Sequence, residues 1–143
     1  MLINPNTDFG ARVLQRLNDE QVIWLTTVGA DGTPQPNPVW FVWDPHEWGE
    51  SFLIYTQPST HRLKHIAHNP KVALHFDGGE RGENVVVFTG EAQVDVNAPP
   101  ADAHAAYLEK YRDGIDRLDT TSESFAQTYS VALRIIPKKL RGF

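Results

Sequence analysis

A mainly β antiparallel barrel with helices packed outside it is the fold class that this 143-residue sequence predicts, on three observations. Six short runs rich in β-branched and aromatic residues alternate with three helical patterns. Turn residues join the first runs as hairpins. The 41% hydrophobic content supplies one core and is too small for two. A single domain over residues 1–143 is expected, without internal repeats, low-complexity tracts or linkers.

Thr7 or Asp8 caps the first helix, where Phe9, Val13, Leu14 and Leu17 recur at helical spacing and Arg12, Gln15, Arg16 and Asn18 lie off the stripe. Residues Val22 to Thr27 favour a strand over 21–28, and Ala30-Asp31-Gly32-Thr33 supplies its turn. A second strand is expected over 34–43, then a polar loop over 44–50 around Pro45 and Gly49. Phe52, Leu53, Ile54 and Tyr55 mark a third strand over 51–56. Pro58-Ser59-Thr60 opens a short helix that Asn69-Pro70 must end. Strands over 72–76 and 85–96 flank the turn-rich stretch 77–82, and Val85-Val86-Val87-Phe88, apolar on both faces, needs a helix or a second subunit as cover. Asn97, with Pro99 and Pro100 behind it, opens another helix that Gly114 closes. The last strand, over 125–136, puts Tyr129, Val131, Leu133 and Ile135 on one face.

Composition excludes several functions. The net charge of −5 argues against nucleic acid, whose binders neutralise phosphates with a basic face. No apolar run approaches the roughly 18 residues of a membrane span, and the first residues lack the basic and apolar pattern of a leader, so a soluble, cytoplasmic protein is expected. With no cysteine, disulfides, thiolate metal sites and thiol catalysis are all absent.

The most informative segment leads from the buried strand through Tyr55, Thr56 and Pro58 into a helix start bearing Ser59, Thr60, Arg62 and Lys64. A helix N-terminus offers free N–H groups and a partial positive charge, and the hydroxyls and cations complete a phosphate cradle. At 100° per residue Arg62 and Lys64 stand about 200° apart, so one reaches the phosphate and the other a neighbouring anion. The plain alternative is a cap and a solvated face. A second feature is the alternation Pro34, Pro36, Pro38, which strips donors from one strand edge and leaves those of Asn37 and Val39 on the other. That edge forms either the rim of the barrel or a slot for a planar ring. Of Trp40, Phe41 and Trp43, at least two are expected in the core.

His61, His65 and His68 fall within about 60° of one another, opposite Leu63, Ile66 and Ala67, and read as a polar surface with no metal. His75 reads as a hydrogen-bonded core histidine in preference to a site residue, and Tyr129 as a packing residue rather than a general acid. No Ser-His-Asp order, nucleotide loop or carboxylate pair stands out, so a cofactor must carry any chemistry and no catalytic side chain is assigned.

In order along the chain, Val22-Ile-Trp-Leu-Thr-Thr-Val, Asp31-Gly-Thr-Pro, Pro38-Val-Trp-Phe, Tyr55-Thr-Gln-Pro, Arg62-Leu-Lys-His-Ile, Asn69-Pro-Lys-Val-Ala-Leu, Gly90-Glu-Ala-Gln-Val and Ile136-Pro-Lys-Lys-Leu-Arg-Gly-Phe carry a resemblance. The chain resembles the flavin and deazaflavin oxidoreductase branch of the pyridoxamine 5'-phosphate oxidase-like split barrels. The resemblance implies a six-stranded antiparallel split β-barrel with flanking α-helices, an α+β roll, forming a homodimer with cofactor sites at the interface. It places the cofactor ring against Pro36, Asn37, Pro38, Val39 and Trp40 and the next strand at Ile54, Tyr55 and Thr56. It places the phosphate at Thr60, Arg62, Leu63 and Lys64. Where such proteins often carry lysine then arginine, this chain has Arg62 then Lys64, and His65 stands where asparagine is common. The expected function is an F420 (deazaflavin)-dependent reductase that transfers a hydride to a small unsaturated or oxidised substrate. The alternatives are an enzyme using flavin mononucleotide (FMN) and a non-catalytic carrier. An acidic F420 tail would favour Lys71, Arg134 or Lys138 near the site.

Overall fold

The computed structural model describes residues 2–47 and 49–143; Trp48, within the expected loop 44–50, lies outside them. Helix α1 (Asp8–Asp19) starts at Thr7, whose hydroxyl accepts the Gly10 N–H at 3.0 Å. Strands β1 (Ile23–Val28) and β2 (Pro34–Val39) form the first hairpin, and β3 (Val42–His46) and β4 (Gly49–Thr56) the second. Helix α2 (His61–His68) precedes β5 (Lys71–His75) and β6 (Val86–Val94). A 3₁₀ turn at Ala101–Ala103, α3 (Ala105–Arg117), α4 (Ser122–Thr128) and β7 (Val131–Gly142) complete the chain.

The strands form one antiparallel sheet in the order β2-β1-β5-β6-β7-β4-β3. Its two edge strands are consecutive in sequence and joined only by Trp40 and Phe41. Three Cα steps span at most about 11 Å, so the sheet must curl until its edges nearly meet. The barrel is closed there by covalent chain rather than by a ladder. This corner is why the run expected as one strand over 34–43 is two, and why the described sheet has seven strands rather than six. The loop expected over 44–50 is instead the β3–β4 hairpin, with Asp44 opposite Ser51 and Pro45 opposite Glu50.

Alternation fills the barrel: Ile23, Leu25, Phe52, Ile54, Leu74, Phe88, Leu133 and Ile135 point inward, and Val13 and Leu17 of α1 join them. A second core lies outside. There Leu53, Tyr55 and Ala132 meet Tyr107, Tyr111 and Ile115 of α3 and Phe125 and Ala126 of α4. Strand β4 is therefore buried on both faces from Ser51 to Thr56. Val87 faces outward, half-buried between its cross-strand neighbours His75 and Arg141.

Two boundaries move. Phe125, expected in the last strand, sits in α4 behind the Thr121 cap, whose hydroxyl accepts the Ser124 N–H at 3.1 Å; β7 starts at Val131. Gly114, expected to end a helix, lies inside α3, and a Cβ built there falls 2.9 Å from the Trp40 ring. Glycine lets the indole pack directly on the helix backbone, and a side chain there would push the ring aside. The α3 cap is His104, whose Nδ1 accepts the Tyr107 N–H at 3.2 Å.

Candidate functional site

Where β4 gives way to α2, the chain assembles a small polar cluster. Arg62 donates from its guanidinium to Thr56 Oγ1 at 3.0 Å, and Thr60 Oγ1 stands 3.4 Å from the same hydroxyl. Thr60 occupies the cap position of α2 without capping it through its side chain. Arg62 is half-buried, and desolvation holds it below the usual guanidinium range. It forms no ion pair with any described carboxylate. A cation withdrawn from water with one neutral partner is an incomplete arrangement that an anion completes.

Arg62 and Thr60 line two neighbouring cavities at once. One, of about 480 Å³, runs along β2 and β4 past Pro38, Val39, Trp40, Tyr55, Thr56 and Gln57 to Tyr107, Phe125 and Tyr129. The other, of about 520 Å³, is polar, lined by Thr27, Gln35, Asn37, His61 and His65 besides the shared pair. An aromatic row walls the first. Tyr129 stacks on Phe125 at 4.5 Å, Phe125 on Trp40 at 5.7 Å, and Trp40 on Tyr111 at 4.6 Å.

Helix α3 fixes that wall. Tyr111 Oη accepts the Phe41 N–H at 2.7 Å and lies 2.7 Å from the Gln21 carbonyl and 2.9 Å from that of Phe41. Lys110 Nζ donates to the Phe41 carbonyl at 3.0 Å and sits 3.7 Å from the Phe41 ring centre, and burial pulls its pKa down to about 8. Tyr55 donates to the Pro99 carbonyl at 2.6 Å, and burial, aided by Asp44, pushes its phenol up to about 12.

Among the residues expected to meet a cofactor, Pro38, Val39, Trp40, Tyr55, Thr56, Thr60 and Arg62 line the aromatic cavity, and Asn37 lines the polar one. Pro36 is exposed and lines neither. Ile54, 1% exposed, belongs to the barrel core, and Leu63 packs against that core. Lys64 points to solvent. Helical geometry thus turns Arg62 inward and Lys64 outward, in keeping with their angular separation.

Other expectations are corrected. His65 is half-buried rather than on a polar surface, with Nδ1 2.9 Å from Thr27 Oγ1, because α2 lies against the end of β1. His75 is hydrogen-bonded as expected, its Nδ1 3.1 Å from the Phe76 carbonyl, but it is half-buried rather than in the core, beside Trp24 ring to ring at 6.4 Å. Arg134 is no free cation near the site. It is 4% exposed, donating to Asp44 at 2.7 Å and to Asp95 at 3.0 Å, while Asp44 also meets His104 at 3.1 Å. Lys71 and Lys138 line a separate groove with Thr26, Val28 and Pro34. Phe41 is fully buried and Trp43 packs on the core, leaving Trp40 for the cavity. No described group of His, Asp or Glu is arranged to hold a metal ion, and no described helix is long and apolar enough to cross a membrane.

Sequence reading missed Gln57, Tyr107, Leu118 and Phe125 in the cavity lining. The pairs Tyr107/Tyr111 and Phe125/Tyr129, each four residues apart, carried a signal of aromatic faces.

Residues 9–142 match the family model described as pyridoxamine 5'-phosphate oxidase. No curated protein matches. Among solved structures, a conserved hypothetical protein of Mycobacterium tuberculosis aligns with TM-score 0.68 and 19% identity over 92% of this chain and 81% of that one. A protein named as an F420 reductase aligns at 0.63 and 24% identity, over 89% and 94% of the two chains. A heme storage protein of Vibrio cholerae aligns at 0.62 and 14% identity, over 94% of each. These likenesses show a shared split-barrel fold.

Proposed function

Because the chain belongs to the pyridoxamine 5'-phosphate oxidase family, whose fold it shares, we propose that it is a reductase that uses the deazaflavin F420 and acts on a small unsaturated or oxidised compound. The observation that carries this reading is Arg62, a half-buried guanidinium without a carboxylate that lines both an aromatic and a polar cavity. The residues present fit such a cofactor. Arg62, Thr60 and the uncapped start of α2 suit the phosphate, and Pro38, Val39, Trp40 and Tyr55 suit the ring. FMN ends at its phosphate, whereas F420 continues, and the polar cavity beyond Arg62 with Asn37, His61 and His65 supports the longer molecule.

When bound, the deazaflavin supplies the hydride. The chain's own groups orient the ring, exclude water with the aromatic wall and neutralise the phosphate. A homodimer belongs to the same reading: Val22, just before β1, and Trp24 within it are 41% and 39% exposed, and Val22 borders the cavity. Light scattering that finds only monomer at micromolar concentration would sink that part.

Titration of the purified protein with F420 and with FMN, followed by absorbance and fluorescence, tests the cofactor. Binding of F420 without FMN is expected; the reverse replaces this reading with an FMN enzyme. Anaerobic mixing of the reduced complex with quinones and enones then separates a reductase, which reoxidises, from a carrier, which does not.

A further inference from the structure

Three tyrosines pack against one another beside the aromatic cavity, Tyr55 and Tyr107 lining it and Tyr111 behind them, and only two have their hydroxyls engaged. Tyr55 donates to the Pro99 carbonyl at 2.6 Å, and Tyr111 is held by Phe41 and Gln21. Tyr107 has neither. Its ring is fixed edge-on to Tyr55 at 4.8 Å, tilted on Tyr111 at 4.8 Å and beside Phe125 at 6.1 Å, leaving the residue 1% exposed. No hydrogen bond to its hydroxyl exists among the described residues. Yet Trp43 Nε1 is the only described side-chain polar atom that is both sealed and unpartnered, so Tyr107 Oη keeps access to space, and the space it borders is the cavity.

A buried hydroxyl without a partner costs free energy that a tight, well-packed site does not carry without use. Tyr129 also borders the cavity, but it is half-buried, so water can satisfy it. Desolvation raises the Tyr107 phenol far above its ordinary value, so it is a donor at any working pH.

We propose that Tyr107 is the specificity-determining donor for the acceptor substrate, and that this substrate is a flat ring bearing a carbonyl oxygen directed at the Tyr107 hydroxyl. Thr56, Gln57, Thr60 and Arg62 of the lining belong to the polar cluster at the start of α2, and Tyr55 and Tyr129 are satisfied by Pro99 and by water, which leaves the Tyr107 hydroxyl as the donor open to a carbonyl among Val39, Leu118 and Phe125. This assignment rests on the reading that the aromatic cavity receives the reacting ring.

Calorimetric titration of the cofactor-free protein with 1-tetralone and with tetralin, the same bicycle without the oxygen, tests it in wild type and Tyr107→Phe. The ratio of tetralone to tetralin affinity should fall about tenfold in the variant. The variant should also melt at or above the wild-type temperature, since it removes a hydroxyl with no internal partner. An unchanged ratio overturns the proposal, as does a clear loss of thermal stability, which would reveal a structural partner for the hydroxyl. Failure of the wider reading is separable: F420 would then not bind although tetralone discrimination persists. If this proposal alone fails, F420 binds and discrimination is absent.

Discussion

Replacing Arg62 by methionine should separate fold from function. The substitution keeps most of the apolar stem and removes a half-buried charge whose one hydrogen bond goes to Thr56 at 3.0 Å. A hydrogen bond involving a charged group contributes about 1.5 to 3 kcal/mol, but the charge also bears a desolvation cost of similar size, and no carboxylate is left stranded when it goes. The two nearly cancel, so the cofactor-free variant should unfold in urea within about 0.5 kcal/mol of wild type. Cofactor binding has no such compensation. Loss of a charge-assisted contact to phosphate should weaken it by about 2 to 3 kcal/mol, or roughly 30- to 150-fold. Lys64→Ala, at an exposed position outside both cavities, should change affinity by less than about threefold. Fluorescence titration gives both constants. Equal weakening by the two substitutions, or an Arg62→Met protein that binds like wild type, refutes the argument that the unpartnered guanidinium marks the anion site.

Further outcomes follow from the same contacts. Gly114→Ala gains about 1 kcal/mol of helix propensity but places a Cβ 2.9 Å from the Trp40 ring, so stability should change little while cofactor affinity drops and tryptophan emission shifts. Arg134→Ala leaves Asp44 and Asp95 without their shared cation and should cost about 3 to 5 kcal/mol in urea unfolding; Arg134→Lys should restore only part. Lys110 has its folded pKa lowered to about 8 from 10.5, so over that window the unfolded chain binds more protons and stability rises with pH. Lys110→Met should flatten that rise in melting experiments. Tyr55 acts in the opposite sense: its pKa raised from 10.0 to about 12 makes stability fall as pH passes through that range.

Local chemistry was legible in the sequence wherever one element decided it. The Thr7 cap, the passage from β4 into α2, and the inward row Leu133 and Ile135 all follow from spacing and propensity. The opposed directions of Arg62 and Lys64 follow from helical rotation alone. Long-range decisions were not legible. Nothing in the run from Pro34 to Trp43 says that its two halves pair with different partners on opposite edges of the sheet, because alternation reports faces and not neighbours. Arg134 looked like a spare cation because its carboxylates, Asp44 and Asp95, are 90 and 39 residues away. Tyr107 and Phe125 read as ordinary helix and strand residues until α3 and α4 met over β4.

The prolines of β2 carry a consequence for assembly. Because Pro34, Pro36 and Pro38 cannot donate, the ladder to β1 must use the N–H groups of Gln35, Asn37 and Val39, and the free edge of β2 offers acceptors only. A stray strand seeking that edge would find half of its pairing missing at every second residue. A barrel whose seam is closed by chain and carries no ladder is therefore guarded along β2 against being zipped into fibrils or into a swapped neighbour.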